Sequence, residues 1–322
     1  MNTKREVPSD VLTVTANPAI DRTMLIRDFT SGVVNRAEEV TETPGGKGVN
    51  VAAALADYGL QVAATGLLGA ENDSPFRELF ARKAIHDAFV RFPGSTREGI
   101  KIVDPTRAET TDINVAGPAP VPRDIAALRQ RVGEVEARWV IFAGSLPRGV
   151  DTGFWLDLIA MAKSRGARVG LDTSGLPLSV SIAAGPNFIK PNLAEFSELC
   201  GRSLHASADI VAAAREIVAG GVELVVVSMG AQGAWLVTAN EALLARSRVE
   251  AAAGTVGAGD AMVAGLVAAN IGGLSLIESA RLCTAFSIHT LRRRWRGDGT
   301  DREELVRKAF EVSISGLGDT IE

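Results

Sequence analysis

The stretch Ala251–Gly265, AAAGTVGAGDAMVAG, places a glycine run before an apolar segment of helical character, with a carboxylate, Asp260, at the junction. Small residues let bare backbone N–H groups converge on an anion, and a helix N-terminus adds positive potential. A phosphate held there would be repelled by Asp260, unless that side chain has a different task. Phosphoryl transfer provides one, because donors must hold the migrating charge while an acceptor takes the proton of the attacking hydroxyl. The N–H groups from Val256 to Gly259 suit the first role and Asp260 the second. A helix N-cap or first-turn position after a glycine turn is the structural alternative for Asp260.

Two commoner glycine-loop readings fail. In TPGGKGVN, Thr43 to Asn50, residues Thr41 and Gly48 stand where a P-loop requires Gly and Ser or Thr. In GAGDAM, Met262 stands where a dinucleotide fingerprint needs its third glycine.

The elements that must position these residues follow from periodicity. Val11–Ala16, Trp139–Gly144, Ala167–Ser174, Phe188–Asn192 and Glu223–Gly230 read as strands, several of them apolar on both faces as parallel strands are. Between them lie helical segments at Val49–Leu60, Phe154–Gly166, Leu193–Gly201, Ser207–Gly221 and Gly259–Gly273, most closed by glycine. The alternation predicts an α/β fold with a doubly wound, mostly parallel sheet and helices on both faces. Two segments break the rhythm. Gly32–Thr43 and Gly99–Gly117 read as antiparallel strands, the second a hairpin with Ile100, Ile102, Ile113 and Val115 alternating about Asp104–Arg107. They predict a small antiparallel β lid, from about 22–43 and 97–117, on a single domain of 322 residues.

Composition narrows the class. A formal charge of −4 argues against a general nucleic-acid binder, and the Leu291–Gly297 run LRRRWRG reads as a solvated helix end. Three histidines and two distant cysteines leave little for a metal site, and Cys200, Cys283 and His289 read as packed side chains. The first nineteen residues lack a secretion signal and nothing is long enough to span a membrane, so a soluble, cytoplasmic protein is expected.

Six stretches occur together and in order: Asn17–Asp21, Pro44–Ala52, Ala143–Gly149, Lys190–Glu195, Ser228–Gly233 and Thr255–Gly265. In this the chain resembles the ribokinase-like (PfkB) carbohydrate kinases, from about Val11 to the C-terminal helix. The resemblance implies that Asp260 is the catalytic base and that Gly257, Ala258 and Gly259 form the anion hole. It implies that Asp21 binds sugar hydroxyls and that Gly45, Gly46 and Asn50 line the sugar site. Lys190, Asn192, Ser228, Gly230, Gly233 and Thr255 fall on the nucleotide side, with Glu195 orienting metal-bound water. Asn192 followed by Glu195 is equally a capping box, and the two readings are compatible. ATP and Mg²⁺ are the implied cofactors.

A sugar phosphate brings a dianion that should meet Lys or Arg, and Lys47 and Arg97 are the candidates. They favour a phosphorylated substrate. Through its lid hairpin the resemblance implies fructose 1-phosphate, phosphorylated on O6 to fructose 1,6-bisphosphate, with tagatose 6-phosphate or fructose 6-phosphate as alternatives. The alternative of another class is a non-catalytic sugar-phosphate-binding regulator. A homodimer through the β lid is expected from the resemblance. The arginines and Trp295 of residues 292–296 depart from the small, polar residues usual near the adenine.

Overall fold

Alternating apolar residues of the first predicted strand face opposite ways, Val11 into one core cluster and Leu12 and Val14 into another. That division places helices on both faces of a central sheet. The structure is a computed structural model and describes residues 9–107, 109–247, 257–293 and 302–317. In chain order the strands are β1 (Ser9–Thr15), β2 (Ala19–Leu25), β3 (Glu39–Gly45), β4 (Val62–Gly69), β5 (His86–Asp87), β6 (Val90–Phe92), β7 (Glu98–Asp104) and β8 (Glu109–Asn114). They continue with β9 (Ala137–Ala143), β10 (Arg168–Asp172), β11 (Phe188–Ile189), β12 (Leu224–Ser228), β13 (Ala234–Val237), β14 (Ala242–Ser247) and β15 (Val312–Gly316).

The large sheet runs β15-β14-β13-β12-β11-β10-β9-β1-β4-β5, with β6 also on β4. From β12 to β5 the pairing is parallel; β13, β14 and β15 extend it antiparallel at one edge. The helices α1 (Lys47–Asp57), α2 (Ser74–Arg82), α3 (Pro122–Glu134), α4 (Phe154–Ser164), α5 (Gly175–Ser181), α6 (Leu193–Leu199), α7 (Ser207–Ala219), α8 (Ala258–Ile271), α9 (Leu276–Arg293) and α10 (Arg302–Ala309) fill the connections. Helices α1, α2, α8, α9 and α10 cover one face, α3, α4 and α7 the other. Each fully buried large side chain, such as Phe142 or Trp155, contributes about 1.5–3 kcal/mol. Helix α8 is buried from Asp260 to Ala269 without a polar stripe, as suits a helix packed between α1 and α9.

The small sheet has the order β3-β2-β7-β8. Its outer pairs are antiparallel, and the expected hairpin is present with Ile100 facing Ile113 and Asp104 facing Glu109. The central pair β2–β7 is parallel, because both strands leave the main sheet in the same direction, joined at the root by Ile20 N–H donating to the Arg97 carbonyl. Residues Gly32–Glu38, expected as strand, form a loop instead. There the Asn35 side chain accepts from Thr30 N–H and donates to the Thr30 and Val33 carbonyls, offering the backbone an alternative to a ladder. One face of the small sheet carries Asp21, Thr43, Lys101 and Asp112; the other carries Met24, Val40, Ile100 and Ile113. Among the described residues no helix is long and apolar enough to cross a membrane.

Candidate active site

Parallel strands gather functional side chains at their C-terminal ends, and four strands do so here. Asn17 follows β1, Ser145 follows β9, Asp172 ends β10 and Lys190 follows β11. Asn17 donates to the Ser145 hydroxyl at 3.1 Å, tying the first two ends together. A cavity of about 530 Å³ lined by Ser9, Glu136 and Arg138 lies at the opposite, N-terminal ends of β1 and β9 and touches none of the predicted site residues.

Two helix N-termini meet over these strand ends. Gly46 is the N-cap of α1, which places Lys47 and Asn50 in its first turn. Gly257 is the N-cap of α8 with φ +82°, a left-handed conformation that favours glycine, and Asp260 lies in the first turn. Asn50 Nδ2 donates to Asp260 Oδ2 at 2.7 Å, so the two helix ends are joined through the predicted base. Burial pushes the Asp260 carboxyl up to about 6, helped by repulsion from Asp172 and opposed by Asn50, Lys47 and Lys190. Ser287 on α9 donates to the Ala258 carbonyl at 2.8 Å and anchors the turn.

Asp172, which sequence reasoning did not single out, is the centre of the charges. It is fully buried, and its Oδ1 lies 3.0 Å from Lys47 Nζ and 3.6 Å from Lys190 Nζ. Burial works against the Lys47 ammonium, but Asp172, Glu195 and Asp260 together hold it above its ordinary range. Lys190 Nζ would lie 3.2 Å from a Cβ at Gly259, so the glycine leaves the ammonium beside the first turn of α8. Asn192 caps α6 by accepting from Glu195 N–H, while Glu195 accepts from Asn192 N–H, each at 2.9 Å. Asn192 also bridges Ser228 at the end of β12, and Gly230 and Gly233 frame the turn into β13.

Asp21 lies apart from this group, on the small sheet. A Cβ at Gly45 would meet one of its carboxylate oxygens at 2.5 Å and a Cβ at Gly99 the other at 2.7 Å, so the glycines make room for it on both sides. Lys101 Nζ, also unforeseen, lies 3.6 Å from Asp21 Oδ2 and 3.1 Å from Asp112. Burial raises the Asp21 carboxyl against the pull of Lys101 and Arg97. Arg97 is held at the root of the small sheet, where Nη2 donates to the Asn17 carbonyl at 3.3 Å and Nε is buried without a hydrogen-bond partner. Its fixed neighbour Thr96 donates N–H to Asn72 Oδ1 at 2.7 Å and accepts from Asn72 Nδ2 at 3.0 Å. The structure therefore sends Lys47 and Arg97, paired by sequence reasoning, to different carboxylates.

His289 is buried, as expected, beside Lys308 and Glu304. Cys283 is buried, whereas Cys200, expected buried, is partly exposed at the C-terminus of α6. Thr255, Val256 and residues 294–296 lie outside the described residues.

A parallel α/β sheet, a small-sheet cover and a carboxylate set in a glycine-opened helix N-terminus define a carbohydrate kinase of the ribokinase-like class. Residues 14–295 match the pfkB family carbohydrate kinase pattern, and the chain belongs to that family of phosphotransferases. A 1-phosphofructokinase of Rhodobacter capsulatus is 48% identical over 284 residues, covering 87% of this chain and 90% of that protein. The 1-phosphofructokinase of Xanthomonas campestris is 43% identical over 284 residues, covering 86% and 89%. Among solved structures, Escherichia coli phosphofructokinase-2 in complex with substrates and products superposes with a TM-score of 0.86 at 29% identity, covering 95% and 99% of the two chains.

Proposed function

We propose that this kinase phosphorylates fructose 1-phosphate on O6 with ATP, giving fructose 1,6-bisphosphate. The observation that carries the chemistry is Asp260: buried, joined to Asn50, pushed up to about 6 and set in the first turn of α8. A base is most useful when its pKa lies near working pH, ionised enough to accept a proton and basic enough to hold it. The choice of sugar rests on 1-phosphofructokinases at 48% and 43% identity over most of the chain.

Bound Mg-ATP supplies the phosphoryl group and neutralises part of its charge. Fit to the nucleotide is supported by the amides of Gly257, Ala258 and Gly259, with Lys190 beside them where a side chain at Gly259 would crowd. Asn192, Ser228, Gly230 and Gly233 shape the nucleotide side. A nucleotide-borne Mg²⁺ keeps several waters, and Glu195, fixed by its capping box, would orient one of them.

On the sugar side, Asp21 accepts hydrogen bonds from hydroxyls, Gly45 and Gly46 let backbone approach them, and the half-buried Arg97 guanidinium meets the dianion. Asn50 orients Asp260, which takes the O6 proton. The small sheet acts as the lid of a single domain and pairs with a second copy's lid in a homodimer, and the enzyme works in the cytoplasm. A coupled assay of ADP release with Mg-ATP and fructose 1-phosphate, tagatose 6-phosphate or fructose 6-phosphate tests the substrate. The highest kcat/KM belongs to fructose 1-phosphate; preference for either other sugar refutes that choice.

A further inference from the structure

Two cations share one oxygen of a buried carboxylate, and that arrangement is costly unless it serves something. Asp172 has no exposed side-chain surface, yet Lys47 and Lys190 both approach its Oδ1, while Oδ2 is buried without a hydrogen-bond partner. A bridge built only for stability would use both oxygens, and truncating a buried ion pair to apolar residues is often neutral or stabilising. Sharing one oxygen instead brings two ammonium groups to the same atom, with Lys190 next to Gly259 and Lys47 close enough to Asp260 to act on its charge. Like charges set that close match an anion presenting several oxygens. Arg97 stands elsewhere, bonded to Asn17 at the root of the small sheet and close enough to Asp21 to act on its charge. Among the described residues the cleft thus has two separate cationic groups, and the proposed reaction has two phosphoryl groups.

We infer that Asp172 is a positioning residue that gathers Lys47 and Lys190 into a clamp for the phosphoryl group in transfer, so that Lys47 does not serve the sugar's own phosphate. This rests on the kinase reading above and assigns Lys47 within it. Asp172 has a second effect through the same geometry. Facing Asp260 together with Lys47, Lys190 and Asn50, it opposes ionisation of the base while the other three favour it. Its charge therefore keeps the base basic as well as holding the lysines.

The test is calorimetric and kinetic, on the full chain and three variants. ADP, a non-hydrolysable ATP analogue and fructose 1-phosphate are titrated separately into wild type, Lys47→Met, Asp172→Asn and Arg97→Met. Lys47→Met should lose about tenfold or more in affinity for the ATP analogue relative to ADP and keep its fructose 1-phosphate affinity within about twofold. Arg97→Met should show the reverse, weakening the sugar phosphate by about tenfold to a hundredfold and leaving the nucleotide ratio alone. Asp172→Asn should repeat the Lys47→Met pattern, lower kcat with KM for the sugar unchanged, and move the acidic limb of the kcat profile to lower pH. A Lys47→Met variant that weakens fructose 1-phosphate as much as Arg97→Met, with its nucleotide ratio intact, overturns the inference. So does an Asp172→Asn variant with a wild-type acidic limb and nucleotide ratio. If Asp172→Asn does not fold, the Lys47→Met nucleotide ratio decides alone. Wild type that discriminates the analogue through Lys47 but turns over no fructose 1-phosphate refutes the substrate reading and leaves the clamp standing.

Discussion

Asp260 carries its charge where charge is expensive, and that cost has a measurable sign. Its folded-state pKa of about 6 lies above the ordinary 3.8, so the native state binds a proton more readily than the unfolded chain. The associated stability is fully present below the unfolded value and is lost as pH rises through about 6. Asp260→Asn never ionises and escapes that loss, while its side-chain carbonyl still accepts from Asn50. The variant should therefore melt at a higher temperature than wild type at pH 8, with the gap closing as pH falls towards 5. Thermal unfolding across that range checks it, and equal melting temperatures at pH 8 would mean that burial of the carboxylate is not costly. A residue that lowers stability in return for a poised base is what an active site is expected to hold.

At the scale of elements, the contact between α8 and α9 fixes where Asp260 points. A Cβ at Gly265 would lie 2.5 Å from the Cys283 backbone and 3.0 Å from the Phe286 ring, so only glycine permits the spacing. Gly265→Ala should separate the helices and lower stability by about 1–3 kcal/mol, measured by denaturant unfolding. An unchanged midpoint would mean that the pair is looser than it looks. Strands β1, β9, β10, β11 and β12 and helices α1, α4, α6, α7 and α8 were legible in the sequence, because apolar runs with helical or continuous spacing report burial directly. Strand β2 was not, since Ala19–Leu25 follows β1 after only three residues and mixes Asp21 and Arg22 into the run. Asp172 sat in a predicted strand, and its place at the strand's C-terminal end was the available signal. Lys101 was visible as the polar member between Ile100 and Ile102, but only the Asp21–Gly99 register brings it beside the site. Side chains far apart in sequence meet through register and crossover, and neither is written in local spacing.

At the scale of the whole molecule, the face of the small sheet turned away from Asp21 carries apolar surface. Val40 is 55% and Ile113 48% exposed on that face, at its two outer strands. Such a face invites pairing with its own copy about a two-fold axis, which also protects open strand edges. Val40→Lys combined with Ile113→Lys should shift the proposed homodimer to monomer in sedimentation velocity, and an unmoved dimer would place the interface elsewhere. In the proposed mechanism, lid, clamp and helix ends all converge on one proton transfer, from a sugar hydroxyl to Asp260. The most direct measurement is the steady-state rate of Asp260→Asn with fructose 1-phosphate and Mg-ATP. The predicted result is a fall in kcat of about 10²- to 10⁴-fold with KM for the sugar little changed; a folded variant turning over within a few-fold of wild type would contradict it.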